Sequence, residues 1–327
     1  MAHNLNGPWA ELSDIAAIVA RLSPERLRSN AMKALECVSP SLSIIAGEMD
    51  LRVFGVQSGF FYYPLAQWVE WGSPSEEELE SLGTALALGH IHYALQDDVI
   101  DEGRATCGSE LLSEVALLMY LDALAAIVDE PMHKLTRRHL SYFALYCDAQ
   151  LVDQEHRRTR RRYDSHEICR LGHKSAPIAL VLESIATRCS SDAGSASVDG
   201  LFDLCCGLQL VDDYADICHD LMTNQATPVS TELSSRTQLS PDSLKRIINT
   251  PSGELDVSVL SLLSGVSEGT LSLAVRYFDR AMHSSEHARL STLSDIARQR
   301  SRLVSQLVGE CRDARAGLID RMERRKR

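Results

Sequence analysis

Aromatic residues and runs of β-branched residues are scarce in this sequence. Phe, Trp and Tyr together make up 6% of it, while Leu, Ser and Ala are its most frequent residues. Strands are enriched in β-branched and aromatic residues, whereas Ala, Leu and Glu are strong helix formers. The composition therefore predicts an all-α protein. Since 45% of the 327 residues are hydrophobic, the chain can bury a large core, and we expect a single helical domain over residues 1–327.

The nine cysteines follow no metal-binding pattern. The sequence contains no CxxC pair, and the adjacent Cys205 and Cys206 cannot share a zinc-finger geometry. The N-terminus up to Pro8 is polar, and no stretch of about 18 uncharged apolar residues occurs. We therefore expect a cytoplasmic protein with reduced thiols, without a secretory signal and without stable membrane insertion.

Positive charge is also in deficit, since the formal net charge is −12. This balance gives no support to nucleic-acid binding. The densest basic run, residues 157–162, lacks interleaved aromatic residues and is typical of a solvated helix end; the alternative is that Arg157 or Arg158 points inward at a phosphate. The basic segment from about residue 321 onward is expected to be a flexible, solvated tail, with membrane-surface contact as a second interpretation.

Helical periodicity is interrupted at several points along the chain. Ser75 followed by Glu78 predicts a capping box at the start of one helix. Ser240 followed by Pro241 predicts the start of another. A third helix is expected from about residue 201 to Asp220. The predicted breaks fall at residues 71–75, 129–132, 190–200, 223–241 and 250–254.

Two aspartate-rich segments each follow an apolar half-helix and a glutamine. The first aspartate segment, which follows Gln96, contains Asp97, Asp98 and Asp101. The second aspartate segment, which follows Gln209, contains Asp212, Asp213, Asp216 and Asp220. On a helix, carboxylates four residues apart share a face and repel each other, so a cationic partner is favoured. Mg²⁺ often bridges one or two carboxylates and a substrate phosphate. The segments therefore predict two walls of one Mg²⁺–diphosphate pocket; ordinary solvated helix ends are the alternative.

Three cations are candidates for contact with a diphosphate. Lys174 lies in a short polar patch at residues 172–177, Arg104 follows the first aspartate segment, and Arg276 precedes Tyr277. Each could equally be a surface residue. Four histidines form no defensible metal-binding set and are expected in the core or on the surface; they are His90, His92, His166 and His173. No Ser-His-Asp arrangement, phosphate-cradling glycine loop or dinucleotide fingerprint is present.

These motifs resemble those of the trans-isoprenyl diphosphate synthases and of the class I terpene synthases that share their fold. Residues 97–102 look like the first DDxxD motif, and residues 207–216 with Asp220 look like the second. Residues 172–177 are similar to the lysine motif before the helix that shapes the tunnel. The resemblance, which spans roughly residues 57–302, implies an isoprenoid synthase helical bundle around a central cavity. It also implies a homodimer, and two aspartate segments that face each other across the cavity mouth.

The resemblance further implies roles for individual residues at a site for a prenyl diphosphate and Mg²⁺, with three ions when substrate is bound. The implied catalytic residues are Asp97, Asp101, Asp212, Asp216 and Lys174. The implied metal ligands are the same four aspartates, supported by Asp98 and Asp213. The implied diphosphate-binding residues are Lys174, Arg104, Gln209 and Asp220. The candidate aromatic residues of the substrate cavity are Phe60, Phe61, Tyr62, Tyr63 and Tyr93.

The departures from the family pattern favour cyclisation over chain elongation. Elongating synthases carry a Gly-Lys-Arg-x-Arg-Pro segment that holds isopentenyl diphosphate, but residues 58–65 here place aromatic residues where those cations belong. Only Arg104 stands where a pair of arginines is usual, and residues 221–228 lack the usual lysine. Desolvating a diphosphate without cations is very unfavourable. The primary prediction is therefore a Mg²⁺-dependent terpene cyclase that acts on farnesyl or geranylgeranyl diphosphate.

Two alternatives stay open. The chain could still elongate a prenyl diphosphate or transfer it to another acceptor, with Arg52 and the basic run at residues 157–162 as replacement cations. It could also be a catalytically silent subunit of a heteromeric prenyl synthase, although intact aspartates in both segments argue against this role. Activity of the isolated chain distinguishes these hypotheses.

Overall fold

The computed structural model describes residues 56–102, 106–287 and 290–326, without the side chains of residues 56–62, 98, 100–102, 287 and 325–326. Every regular element in these ranges is helical, which confirms the all-α prediction. The helices are α1 (Val56–Trp71), α2 (Glu76–Glu102), α3 (Cys107–Val128), α4 (Met132–Thr159), α5 (Ser165–Leu171), α6 (Ala176–Arg188), α7 (Gly194–Ala215), α8 (Ile217–Thr223), α9 (Pro228–Thr237), α10 (Pro241–Ile248), α11 (Gly253–Ser264), α12 (Val266–His287) and α13 (Ser291–Lys326). A 3₁₀ turn, Gly172–Ser175, lies between α5 and α6.

Side-chain caps fix where several helices begin. At the start of α2, the Ser75 N–H donates to Glu78 Oε2 at 2.8 Å, and the Glu78 N–H donates to Ser75 Oγ at 3.2 Å. This reciprocal pair satisfies amide groups that a helix start leaves without intrahelical partners. At the start of α10, Ser240 Oγ accepts from the Ser243 N–H at 3.2 Å, and Pro241 stands in the first turn. Both predicted helix starts are confirmed.

Two predicted helix boundaries are wrong. The predicted break at residues 223–241 contains α9, because Thr227 caps this helix by accepting from the Ser230 N–H at 3.3 Å, and Pro228 favours its first turn. The helix expected from about residue 201 to Asp220 begins at Gly194 and ends at Ala215. The chain leaves helical geometry at Asp216, where φ is −97° and ψ is 12°, before α8 begins.

The first compact unit comprises residues 1–143 and 177–195. In its described part, α2 packs along α3. Leu82 and Leu86 of α2 and Leu124 of α3 have no exposed surface, and the four-residue spacing on α2 places its two leucines on one face. Each such side chain stabilises the fold by roughly 1.5–3 kcal/mol through burial. This core anchors the helix that carries the first aspartate segment near its C-terminal end.

The second compact unit comprises residues 144–176 and 196–327. In its described part, α12 packs against α13, and Gly207 of α7 lies against Phe278 of α12. A Cβ atom added at Gly207 would come within 2.6 Å of the Phe278 ring, so the missing side chain allows the two helices to pack closely. Phe278 has no exposed surface. This contact fixes α7 one turn before the second aspartate segment.

The last helix, α13, continues to Lys326. Residues 321–324 are exposed and form part of this helix. The flexibility of the tail and the single-domain organisation stay predictions.

Within the described ranges, α3 is long and apolar enough to cross a membrane. Half of its most apolar 18-residue stretch is buried inside the protein, and helices of protein cores share this property. Residues 253–264 and 266–286 are long and apolar enough to cross a membrane only when taken together, and the chain bends by 69° at the break between them. The absence of stable membrane insertion stays a prediction.

Candidate active site

The second aspartate segment spans the end of α7 and the start of α8. Asp212 and Asp216 are exposed, and the Asp216 N–H donates to the Asp212 carbonyl at 2.9 Å. The Asp220 N–H donates in turn to the Asp216 carbonyl at 2.9 Å. Helical hydrogen bonding therefore continues across the change in backbone geometry at Asp216. As a result, Asp212 and Asp216 stand one turn apart at the surface.

This pair of carboxylates fits a hard cation such as Mg²⁺, which takes oxygen ligands. In the part of the chain that the structure describes, no three His, Cys, Asp or Glu side chains converge as a preformed metal site. Mg²⁺ sites that combine one or two carboxylates with substrate phosphates need no such set. The donor chemistry at Asp212 and Asp216 therefore suits a metal that arrives with a phosphorylated substrate.

The other two aspartates of the second segment are buried, with 5% of Asp213 and 8% of Asp220 exposed. Gln209, one turn earlier on α7, donates from Nε2 to Asp213 Oδ1 at 2.7 Å. Burial raises the pKa of Asp213 to about 8 and the pKa of Asp220 to about 6. Reduced hydration also raises the pKa of Asp212, and the neighbouring Asp216 raises it further. The segment thus concentrates carboxylates whose ionised forms a nearby cation would stabilise.

Lys174 lies on the 3₁₀ turn between α5 and α6. Its ammonium pairs with Asp153 of α4. The charge of Lys174 limits the rise in the pKa values of Asp212 and Asp213, so it acts on the second aspartate segment. The structure therefore brings Lys174 to this segment, where it could contact a diphosphate. Asp153 escapes sequence reasoning because no local pattern connects it with Lys174, which lies 21 residues later in the chain.

Gly172 sets how closely the turn that carries Lys174 approaches α7. A Cβ atom added at Gly172 would lie 2.2 Å from the Phe202 carbonyl oxygen and 2.9 Å from its carbonyl carbon. No residue other than glycine fits against backbone at these distances. Ser175 Oγ donates to the Gly172 carbonyl at 2.6 Å and closes the turn. The glycine of the lysine motif therefore serves the placement of Lys174 beside the second aspartate segment.

The remaining candidate cations lie in different surroundings. Arg157 is half-buried and close enough to Tyr163 to lower its pKa, whereas Arg158 is exposed. Contact of either arginine with a phosphate stays a prediction. Arg276 is exposed on α12. Arg104 lies outside the described residues.

The first aspartate segment lies in the last two turns of α2, and Asp97 is exposed. The side chains of Asp98 and Asp101 are outside the described part, as are those of Phe60, Phe61 and Tyr62. Tyr63 and Tyr93 are buried, with 3% and 6% exposed. The roles assigned to all these residues stay predictions, as does the placement of the two aspartate segments across one cavity mouth.

A cavity of about 410 Å³ opens between α2, α3 and α4 in the first unit. It extends to Gln96, the residue before Asp97, and it contains the buried imidazoles of His92 and His139. Burial lowers the pKa values of both imidazoles, to about 4 for His92, so they are neutral at physiological pH. The apolar residues of its lining are Leu117, Leu118, Leu121, Met132, Leu140 and Phe143. Neither Tyr63 nor Tyr93 lines this cavity.

The buried histidines predict an acid-sensitive fold. Burial lowers the pKa of His92 to about 4, and that of His90 to about 4 as well. Because the unfolded chain takes up these protons near pH 6.5, the free energy of unfolding should fall as the pH drops from about 6.5 to 4. We expect His92→Gln to remove part of this fall, as measured by urea unfolding at several pH values. In His133→Gln, which changes an exposed histidine, the free energy of unfolding should depend on pH as it does in the wild type. The same pH dependence in His92→Gln would contradict the prediction.

Three solved structures that are similar to this chain are named as prenyl synthases or synthetases. The polyprenyl synthetase from Streptomyces coelicolor A3(2) matches with a TM-score of 0.64 and 15% identity, over 90% of this chain and 97% of that chain. The geranylgeranyl pyrophosphate synthetase from Geoglobus acetivorans matches with a TM-score of 0.58 and 16% identity, over 89% and 99%. The polyprenyl synthase from Caulobacter crescentus CB15, complexed with calcium and isoprenyl diphosphate, matches with a TM-score of 0.56 and 16% identity, over 85% and 97%.

No protein-family model matches the sequence, and no curated protein matches it. At identities of 15–16%, the structural matches show the fold: the chain has the all-α isoprenoid synthase fold. This confirms the fold class and the resemblance inferred from the motifs. These three structures are named as synthases or synthetases, and none of them is named as a cyclase.

Proposed function

We propose that this chain is a Mg²⁺-dependent prenyltransferase that ionises an allylic prenyl diphosphate and transfers the prenyl group to an acceptor such as isopentenyl diphosphate. The observation that carries the proposal is the exposed pair Asp212 and Asp216 beside Lys174, on an isoprenoid synthase fold. The similar polyprenyl synthase from Caulobacter crescentus was complexed with calcium and isoprenyl diphosphate, which supports the same ligand class here.

In the proposed reaction, the carbon–oxygen bond to the diphosphate breaks and the electron pair leaves with the diphosphate. Mg²⁺ held by Asp212 and Asp216, with Asp97 and Asp101 as further proposed ligands, would neutralise the charge that develops on the leaving group. Lys174 would donate hydrogen bonds to the diphosphate oxygens, and these bonds strengthen as the negative charge grows. Gln209 holds the buried Asp213 behind the exposed pair. The double bond of the acceptor then attacks the allylic cation, and a proton is lost.

The apolar cavity of the first unit is proposed as the place for the chain of a prenyl diphosphate whose head group lies at Asp97. It begins at Gln96, next to Asp97, and extends past His92 one turn further down α2. Its volume of about 410 Å³ lies in the range of small-molecule sites. Its imidazoles are neutral and most of its other lining residues are apolar, with Leu118 and Leu140 exposed at its opening, so the lining suits an apolar chain.

The second candidate is terpene cyclisation of farnesyl or geranylgeranyl diphosphate. The specific observation in its favour is the aromatic sequence of residues 58–65, which lacks the cations that hold isopentenyl diphosphate in elongating synthases. In that case the substrate's own double bond attacks the cation and no acceptor is needed. Both candidates share the ionisation step and the same aspartates.

Product analysis distinguishes the candidates. The purified chain is incubated with Mg²⁺ and geranyl, farnesyl or geranylgeranyl diphosphate, with and without isopentenyl diphosphate, and the products are identified by mass spectrometry. A longer prenyl diphosphate that appears only with isopentenyl diphosphate supports transfer, whereas a cyclic hydrocarbon or alcohol formed without it supports cyclisation. Absence of any product in all mixtures would contradict both and favour the silent-subunit alternative. EDTA should abolish either activity.

Two further properties belong to the same proposal. We place the enzyme in the cytoplasm, and we propose that it forms a homodimer as the resemblance implies. Light scattering of the purified chain tests the second point: a mass of two chains agrees with it, and a monomer contradicts it.

A further inference from the structure

The ion-pair partner of Lys174 is Asp153, whose second carboxylate oxygen makes a hydrogen bond of its own. The Lys174 ammonium pairs with Asp153 Oδ2, and the side chains of Lys174 and Asp153 are 26% and 12% exposed. A lysine ammonium is a compact charge on a flexible four-carbon chain, so its position depends on what fixes its partner. Asp153 Oδ1 lies 3.0 Å from the Tyr163 hydroxyl. The carboxylate therefore bridges a lysine and a tyrosine, with one oxygen for each.

Tyr163 is rigidly placed. It is 5% exposed, and its ring stacks on His156 with centroids 3.5 Å apart and an interplanar angle of 11°. His156 is held in turn through Nδ1, which lies 2.8 Å from the Arg161 carbonyl oxygen. Burial raises the pKa of Tyr163, and Asp153 raises it further, so the phenol stays neutral and its hydroxyl can donate. Tyr163 is thus a fixed hydrogen-bond donor that orients Asp153.

The same hydroxyl also reaches the loop that follows the second aspartate segment. The Tyr163 hydroxyl lies 2.8 Å from the Ala226 carbonyl oxygen, so its single proton is shared between this oxygen and Asp153 Oδ1. One residue earlier, the Gln225 N–H donates to the Asp220 carbonyl at 2.7 Å. Tyr163 therefore contacts both the partner of Lys174 and the loop that closes on Asp220. The charge of Asp153 also raises the pKa of Asp213, so Asp153 lies close to the second aspartate segment.

We infer that Asp153 and Tyr163 are positioning residues that hold the Lys174 ammonium at the second aspartate segment, and that they affect prenyl diphosphate binding through Lys174. The inference deepens the proposed function and rests on it for the identity of the ligand. The position of Lys174 itself does not depend on that identity, so it is measured separately from activity.

The position of Lys174 can be measured by NMR because the chain has few lysines. They are Lys33, Lys134, Lys174, Lys245 and Lys326. Reductive methylation with ¹³C-formaldehyde gives each lysine a dimethylamino signal, and Lys174→Arg identifies that of Lys174. In Asp153→Asn this signal should move toward the signal of the exposed Lys134, and in Tyr163→Phe it should move less far in the same direction. The other lysine signals should stay in place, which also shows that both variants are folded.

Steady-state kinetics then test whether Asp153 and Tyr163 affect the reaction of the prenyl diphosphate through Lys174. Asp153→Asn should lower kcat/KM for the prenyl diphosphate about 10-fold in the wild-type background but less than about 2-fold in the Lys174→Ala background. A merely structural role would give similar losses in both backgrounds. Tyr163→Phe keeps the ring stacked on His156 and should show the same pattern with a smaller loss.

The possible results distinguish failure of this inference from failure of the proposed function. An unchanged Lys174 signal in Asp153→Asn and Tyr163→Phe, or equal losses of kcat/KM in both backgrounds, would overturn the inference. If the wild-type chain has no activity toward any prenyl diphosphate, the proposed function fails, and the NMR signals still decide whether Asp153 and Tyr163 position Lys174.

Discussion

Alanine at Asp212 or at Asp216 is expected to lower kcat/KM for a prenyl diphosphate on the order of 10²–10³-fold. These carboxylates are the proposed metal ligands, and loss of one removes charge stabilisation from the departing diphosphate. Because both side chains are exposed, their truncation leaves no cavity, so the melting temperature should change little. Steady-state kinetics at increasing Mg²⁺ concentrations measure the effect, and higher Mg²⁺ should restore part of the activity.

Asp199→Ala is the matched control for these variants. Asp199 is also an exposed aspartate of α7, but it lies three turns before the second aspartate segment. It carries the same charge change and should leave kcat/KM and its Mg²⁺ dependence close to wild type. Activity of Asp212→Ala and Asp216→Ala within a few-fold of the control would remove these residues from the proposed site.

The second large effect is expected at Gly172. In Gly172→Ala, the added Cβ would lie 2.2 Å from the Phe202 carbonyl oxygen, which is backbone and cannot rotate away. Either the 3₁₀ turn or α7 must shift, so we expect a loss of about 2–3 kcal/mol in the free energy of unfolding. The shift should also move Lys174 away from the second aspartate segment and lower activity at temperatures where the variant is still folded. Urea unfolding and kinetics measure the two effects.

Gly309→Ala is the control, and it should raise the free energy of unfolding where Gly172→Ala lowers it. Gly309 lies inside α13, and a Cβ added there meets no atom within 4 Å among the described residues. Alanine in a helix interior is more stable than glycine by roughly 0.5–1 kcal/mol, so this variant should be more stable than wild type. A Gly172→Ala variant as stable as wild type would show that the lysine turn does not approach α7 as closely as the structure indicates.

The parts of the fold that depend on local chemistry could be predicted from the sequence. The caps at Ser75 and Ser240 act within four residues, so their sequence patterns are sufficient to locate the helix starts. The same chemistry at Thr227 and Pro228 marks α9, but the surrounding polar residues conceal it in a segment that reads as a loop. The helix end at Asp216 has no signal of this kind, since no glycine or proline stands there.

The candidate site could be predicted only in part. The aspartates stand out because charged residues after apolar half-helices are unusual, and Lys174 stands out as a cation in a short polar patch between apolar segments. Which aspartates are exposed and which are buried depends on packing: Asp212 and Asp213 are adjacent, yet only Asp213 faces the interior. The contacts that hold Lys174 in place join residues far apart in the chain. Asp153 is 21 residues from Lys174, and Tyr163 contacts Ala226, which is 63 residues away. Such pairings follow from the fold and have no local pattern.

The central claim, ionisation of an allylic diphosphate, is tested most directly by diphosphate release from two matched substrates. Farnesyl diphosphate and its 2,3-dihydro analogue have the same chain length and leaving group, but only the first forms a stabilised allylic cation. The account predicts Mg²⁺-dependent diphosphate release from the allylic compound, with isopentenyl diphosphate present as acceptor, and none above background from the saturated one. Equal release from both compounds would indicate simple hydrolysis, and release from neither, with geranyl and geranylgeranyl diphosphate also inert, would contradict the account.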